Sequence, residues 1–360
     1  MMRLHEEGRG GKAVLGWISL GLVLVSVAVA DEPKLVRFDY TETHMGSPFH
    51  LVLYTADETS ASRAARAAFA RIATLDAALS DYNPESELMR LCDKAGSGPV
   101  AVSEDLFDAL DRCVRIAQAS NGAFDPTIAP VVRLWRRARR DRKLPEPETL
   151  AKALSLVGYS KMTLNRQDHT VDLRDKGMKL DLGGMAKGMA SQAAIDALRT
   201  LGVTHALVAG AGDIAVSDAP PGTEGWTIEV APLGPNESFE PIRLALANRA
   251  ISTSGDAEQF VEIDGKRYGH IVDPKTGLGL IDRAGVTVIA SDGATADSVD
   301  TAAFVLGMER GMSLIESTAG ASAIFVRKQP DGTIEVKRSR TFDQLPRAPG
   351  SAADATLGPR

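Results

Sequence analysis

Asp297 and Thr301, within Ala296-Asp297-Ser298-Val299-Asp300-Thr301-Ala302-Ala303, stand four residues apart. On a helix this puts a carboxylate and a hydroxyl on one face, where they can share one hard cation. With a nearby backbone carbonyl, such a set leaves octahedral positions for water and phosphate oxygens, as Mg²⁺ prefers. The same pattern also describes an Asp at a helix N-terminus and a Thr bonded to its own backbone. A second group is Lys179-Leu180-Asp181-Leu182-Gly183-Gly184-Met185-Ala186-Lys187-Gly188, an apolar strand-like run leading through paired glycines into an Ala-rich helix. Helix-end N–H groups and the positive dipole end suit a phosphate or pyrophosphate, and Lys187 adds a full charge. Glycine pairs before helices also serve close packing. The spacing is neither G-x-G-x-x-G nor a Walker A loop, so neither a Rossmann nor a P-loop mechanism is supported.

His270 closes a strand in Gly269-His270-Ile271-Val272-Asp273-Pro274-Lys275-Thr276-Gly277, downstream of Ser252-Thr253-Ser254-Gly255-Asp256. It can serve as a general base near neutral pH, or as a structural His. Asp273-Pro274 and Thr276-Gly277 are also common turn residues. Ser80-Asp81-Tyr82-Asn83-Pro84 and Gly122-Ala123-Phe124-Asp125-Pro126-Thr127 are aromatic-bearing turns. They could wall a flat ring system or be ordinary turns.

These groups need elements to hold them. The apolar spacing predicts a helix over residues 61–80 and another beginning at the N-cap Ser103. Strand-like runs follow at 171–173, 178–182, 206–208, 227–230, 285–290 and 323–326, with helices after the second and fifth. This alternation predicts an α+β architecture without a clean internal boundary. Residues 218–225 form a Pro/Gly-rich loop, and the chain from about Pro346 onward (346–360) is expected to be a flexible tail.

The 360 residues are 44% hydrophobic, enough for a substantial core. A net charge of −6 argues against a nucleic-acid partner. One basic cluster, Arg133, Arg136, Arg137, Arg139, Arg140, Arg142 and Lys143, is expected to be a solvated helix face, with anionic lipid or an acidic partner as the alternative. Arg3, Arg9 and Lys12 precede an uncharged run from Ala13 to Ala30 that ends Ala28-Val29-Ala30. Residues 1–30 are therefore expected to be a signal peptide or an N-terminal membrane anchor, with the remainder exported. Cys92 and Cys113 have no metal-ligand spacing; they could pair, or be buried as small hydrophobes.

In chain order, Met45-Gly46-Ser47, Ser80-Asp81-Tyr82, Gly122 to Thr127, Asp181-Leu182-Gly183-Gly184 with Ala186-Lys187-Gly188, Ser254-Gly255-Asp256, His270-Ile271 with Asp273-Pro274, and Asp297 with Thr301 resemble the FAD:protein FMN transferase (ApbE) family. The resemblance implies a compact, T-fold-like mixed α/β catalytic domain over residues 31–345, with FAD as substrate in a central cleft. It implies that Met45, Tyr82, Ala123, Phe124, Asp125, Asp181, Gly183, Lys187, Met189 and Ile271 form the FAD site. The Ala186 carbonyl, Asp297 and Thr301 would hold Mg²⁺, and His270 would be the catalytic base. The family attaches FMN through a phosphoester to a Thr, sometimes a Ser, of a membrane or periplasmic flavoprotein and releases AMP. The implied partner is thus an electron-transfer acceptor protein, and the implied compartment the periplasm. Ser47, Met189 and Ala209-Gly210-Ala211-Gly212-Asp213 depart from the family's usual residues. Rival readings are a Mg²⁺-dependent FAD pyrophosphatase and a non-catalytic FAD-binding protein.

Overall fold

The computed structural model describes residues 34–233, 239–256 and 259–349. The expected signal or anchor segment, residues 1–30, lies outside them. Among the described residues no helix is long and apolar enough to cross a membrane. The chain divides between Lys34 and Leu35 into two units, and every helix and strand among the described residues belongs to the second.

That unit opens with β1 (Val36–His44), β2 (Ser47–Thr55), α1 (Glu58–Leu79), α2 (Glu87–Asp93), β3 (Val100–Ala101) and α3 (Glu104–Ala119). Next come α4 (Ala129–Asp141), α5 (Pro147–Leu154), β4 (Met162–Asn165), β5 (Thr170–Leu173), α6 (Ala186–Thr200), β6 (Ala206–Gly210) and β7 (Asp213–Val216). β8 (Trp226–Val230), β9 (Ile242–Leu246), β10 (Arg249–Gly255), β11 (Phe260–Ile263), β12 (Lys266–Gly269) and β13 (Ala284–Ala290) follow. The unit closes with α7 (Gly293–Leu306), α8 (Met308–Ser317), β14 (Ser322–Lys328) and β15 (Ile334–Arg338). The expected mixed α/β class is what the chain adopts.

Eight strands form the main sheet in the order β1-β2-β6-β7-β10-β13-β14-β15, so the order across the sheet follows the order along the chain. Every neighbouring pair is antiparallel. Side chains of alternate residues leave opposite faces of a strand. Val286, Val288 and Ala290 therefore join Ala323 and Phe325 in a core shared with α1, α6 and α7. Ile251, Ile289, Ile324 and Val326 point the other way, against the β8–β9 hairpin and Phe342. A third cluster joins α4 and α5 to the β11–β12 hairpin through Val131, Trp135, Ile263 and Tyr268.

The expected helix at 61–80 begins one turn earlier, because Asp57 caps it by accepting from the Ser60 N–H at 2.8 Å. Ser103 caps α3 as predicted, accepting from Leu106 N–H. Five of the six strand-like runs fall in strands; residues 178–182 do not. Met178, Leu180 and Leu182 are buried between more exposed neighbours, which mimics a strand's alternation. Their segment has no ladder partner among the described residues, however: Leu180 N–H donates to Cys92 Sγ and Asp181 N–H to the Pro126 carbonyl. The expected tail also begins too early. Ala245 N–H donates to Pro346 O and Ala348 N–H to Arg243 O, so residues 346–348 run along β9. Positions 350–360 lie outside the described residues. Cys92 and Cys113 are free and buried, Cys113 on the apolar stripe of α3 as expected.

Candidate active site

α6 and α7 cross in backbone contact. A Cβ on Gly188 would lie 2.2 Å from the Gly293 carbonyl oxygen and 2.7 Å from Asp297 Cβ, so only glycine permits the crossing. The contact lets Gly188 N–H, in the first turn of α6, donate to Asp297 Oδ2 at 3.0 Å. The helix end expected to hold phosphate thus spends one N–H on the carboxylate expected to hold the metal, an anion placement its dipole favours. Lys187, one residue earlier, pairs with Asp213 at 2.9 Å.

Asp297 and Thr301 lie on α7 as predicted. Thr301 Oγ1 is 3.2 Å from Ser254 Oγ, and Ser254 also donates to Asp300 Oδ1 at 3.0 Å. Asp300, one residue before Thr301, is fully buried and engaged by β10. Ser252 donates to Asp213 Oδ1. Gly184 packs against both Thr301 and Phe124: a Cβ there would lie 3.0 Å from Thr301 Oγ1 and 3.2 Å from the Phe124 ring. The Gly183-Gly184 turn, the Gly122–Asp125 turn and α7 therefore meet.

Three buried carboxylates, Asp213, Asp297 and Asp300, face one ammonium. Burial first, and then the charge of Asp213, pushes Asp297 up to about 7. Burial, Asp297 and Asp213 raise Asp300 well above the ordinary carboxylate range. Burial alone would lower the Lys187 ammonium, but Asp297 and Asp213 outweigh it and raise it. Asp300 Oδ2, buried, has no hydrogen-bond partner among the described residues. The cluster is short of positive charge, and its donors are all oxygens, a chemistry that fits a hard divalent cation. Among the described residues no three His, Cys, Asp or Glu converge at metal-ligand spacing. The oxygens that could hold such an ion are of mixed kinds: the Asp297 carboxylate and Thr301 hydroxyl on α7, and the carbonyl of Ala186, the first residue of α6.

His270 directly follows β12. Trp135 Nε1–H donates to the Gly269 carbonyl at 3.1 Å and so fixes this strand end against α4. His270 Nδ1 lies 3.3 Å from the Gln259 carbonyl. Burial lowers the imidazole below its ordinary 6.5, and the charges of Arg139 and Lys187 lower it further against the raising effect of the Gln259 bond. Asp273 and Gly277 close the turn expected of them, Gly277 N–H donating to Asp273 O at 2.8 Å.

The remaining expected residues divide into well-anchored and open ones. Asp125 accepts from Thr127 N–H and Oγ1–H on one oxygen and from Tyr159 N–H on the other, so it holds the turn that carries Ala123 and Phe124. Met45, left-handed at φ 51°, shares the β1–β2 hairpin turn with Gly46, and its N–H donates to Asp76 Oδ2 at 2.8 Å. That turn lies at the same sheet end as Ala211, whose N–H reaches the Pro48 carbonyl, and as Asp213. Met189 and Ile271 are half-buried beside the main core. Tyr82 is 74% exposed. Asp181 accepts from Gly183 N–H at 2.8 Å, and from Arg136. Arg136 therefore leaves the solvated face expected for the basic cluster and pairs with Asp81 and Asp181. Asp213, Asp300, Ser252 and Arg136 were not among the expected site residues; only their convergence in the fold reveals them.

A chain-ordered antiparallel sheet whose glycine-packed helices carry oxygen donors and a lysine, with an imidazole after β12 close enough to feel that lysine's charge, has the parts of a phosphoryl-transfer site. Residues 45–325 match the ApbE family, and the chain belongs to it. It is 32% identical over 309 residues to an FAD:protein FMN transferase of Klebsiella pneumoniae (strain 342), covering 86% of this chain and 95% of that protein. It is 32% identical over 262 residues to one of Treponema pallidum (strain Nichols), covering 69% and 72% respectively. The fold superposes on the flavin transferase ApbE from Vibrio cholerae with a TM-score of 0.77 at 26% identity, covering 87% of this chain and 100% of that one.

Proposed function

We propose that this chain, an FAD:protein FMN transferase by its family and its relatives, requires Mg²⁺ and attaches FMN to a Thr or Ser hydroxyl of an exported flavoprotein, releasing AMP. The observation that carries the metal requirement is the cluster of the buried carboxylates Asp297, Asp300 and Asp213 around Lys187, which is short of positive charge. Asp297, Thr301 and the Ala186 carbonyl would hold the ion. When bound, Mg²⁺ supplies Lewis-acid neutralisation of the pyrophosphate oxygens. Met45, Tyr82, Ala123, Phe124, Asp181, Gly183, Met189 and Ile271 would line the flavin nucleotide, with Asp125 holding the Ala123–Phe124 turn.

In the transfer, the acceptor oxygen attacks the phosphorus of the FMN half. The bond from that phosphorus to the bridging oxygen breaks, and AMP leaves with that oxygen. The acceptor's proton passes to His270: a carbonyl only accepts, so Nδ1 carries the hydrogen facing Gln259 and Nε2 keeps its lone pair. Lys187 adds positive charge beside the phosphates. Incubation with FAD, Mg²⁺ and an acceptor, followed by intact-mass analysis, tests the reading. A covalent FMN increment on the acceptor supports it. Stoichiometric FMN and AMP without that increment would make the protein a pyrophosphatase, and unchanged FAD would make it a carrier.

His270→Ala is expected to leave FAD binding intact and to slow transfer by roughly 10²- to 10⁴-fold. In the wild type, the acid limb of the kcat/KM profile is expected below 6.5, because burial lowers the imidazole. Transfer by His270→Ala at the wild-type rate would move the base elsewhere.

The proposed site of action is the periplasm, a reading supported by the basic start, the uncharged run to Ala30 and the Ala28-Val29-Ala30 junction. Residues 1–33 fused to a reporter are expected to export it, either released or anchored to the inner membrane. Cytoplasmic retention of the reporter would overturn the assignment.

A further inference from the structure

We infer that Arg136 is a positioning residue for the flavin, a strut that joins the exposed Tyr82 ring to the glycine turn across the mouth of the site; this rests on the flavin-site reading above. One guanidinium nitrogen donates to Asp81 Oδ2 at 2.8 Å and the other to Asp181 Oδ2 at 3.2 Å. The central carbon of the same group, Cζ, lies over the Tyr82 ring, 4.2 Å from its centroid. Three segments far apart in sequence therefore converge on one side chain: the turn after α1, helix α4 and the Asp181–Gly183 turn.

The three contacts differ in what they need. Asp81 and Asp181 are nearly buried, with side chains 9% and 10% exposed, so their charges require a nearby cation. Tyr82, 74% exposed, has little core packing to hold its ring. Arg136 covers one face of that ring and leaves the remainder open to a planar ligand. The strut continues through Asp181, whose other oxygen accepts from Gly183 N–H, so the guanidinium also sets the turn that begins the path to Lys187. A lysine would neutralise one carboxylate as a point charge, but it could not bridge two carboxylates and cover a ring at once. Arg136 is thus built for geometry as well as for charge.

The test compares Arg136→Lys, Arg136→Ala and Tyr82→Ala in the full chain. Kd for FAD is read from flavin fluorescence in EDTA, where transfer is stopped, and KM and kcat are read with Mg²⁺ and an acceptor. Arg136→Lys is expected to raise Kd and KM for FAD about 5- to 30-fold while kcat stays within about twofold. Because it keeps the positive charge, this variant remains informative if Arg136→Ala fails to fold. Tyr82→Ala is expected to weaken FAD binding by a similar factor, and the Tyr82→Ala/Arg136→Lys double variant to bind less weakly than the product of the two single effects. Wild-type FAD affinity in Arg136→Lys, a fall in kcat at unchanged KM, or full additivity in the double variant would each overturn the inference. The failures are distinguishable. If Tyr82→Ala leaves Kd unchanged, Tyr82 is no part of the flavin site and the inference falls with that reading; if only Arg136→Lys leaves it unchanged, the inference alone falls.

Discussion

Asp297→Ala is expected to reduce Mg²⁺-dependent FAD cleavage by on the order of 10³-fold or more, without unfolding the protein. Asp297 is the one carboxylate in the proposed ligand set, while Thr301 and the Ala186 carbonyl are neutral and hold a divalent ion more weakly. Folding should survive because two effects oppose each other. The substitution orphans Gly188 N–H, which donates to Asp297 Oδ2, at a cost of roughly 1–3 kcal/mol. It also removes a carboxylate that burial and Asp213 push up to about 7, relieving a charge the cluster accommodates poorly. Asp300→Asn is the matched control. Asp300 faces Ser254 on β10, and its amide counterpart can still accept that hydroxyl, so most turnover should remain. AMP release at saturating Mg²⁺, with circular dichroism on both variants, is the measurement. Full turnover in Asp297→Ala, or a larger loss in Asp300→Asn, would assign the metal to other residues.

Gly188→Ala should damage stability and activity together. Its methyl would stand 2.2 Å from the Gly293 carbonyl oxygen, so α6 and α7 must separate. Overpacking of this kind costs roughly 1–3 kcal/mol when side chains can yield, and the atom met here is backbone, so a cost at or above the top of that range is expected. Separation would also stretch the Gly188–Asp297 hydrogen bond and spread the proposed metal ligands between the two helices. Thermal unfolding and the Mg²⁺ dependence of AMP release read the two effects. Gly212→Ala, with nothing within 4 Å of its would-be Cβ, should match the wild type in both. A Gly188→Ala protein with wild-type Tm would mean the helices have slack at their crossing.

Whether a feature is legible in the sequence depends on whether its cause is local. Ser103 announces α3 because a cap needs only its own next turn, and Asp297 and Thr301 share a helix face through local spacing alone. Residues 178–182 mislead because alternating burial is common to strands and to extended segments laid over a core, and only the absent ladder partner separates them. Asp213 is visible only as part of an unusual glycine turn. Its bond to Lys187 joins β7 to α6, a meeting no spacing rule encodes. Arg136 reads as one charge among seven because its partners lie 55 and 45 residues away. The burial of Asp300 has no local signal because its neighbour in β10, Ser254, is 46 residues distant.

The chain-ordered sheet has an architectural consequence. Adjacent strands in it are successive in the chain apart from three excursions, which leave between β2 and β6, between β7 and β10, and between β10 and β13. Tyr82, Phe124, Asp125, Arg136, Asp181 and Lys187 all belong to the first, and His270 to the third, while Asp297 and Thr301 stay with the frame on α7. The cost of closing a connection grows only slowly with its length, so an excursion can be lengthened or rewritten while its two strands remain paired. Evolution is therefore free to revise the residues proposed to meet the nucleotide and its acceptor separately from α7, which carries two of the three proposed metal donors. A lineage could change what it modifies without relearning how to fold.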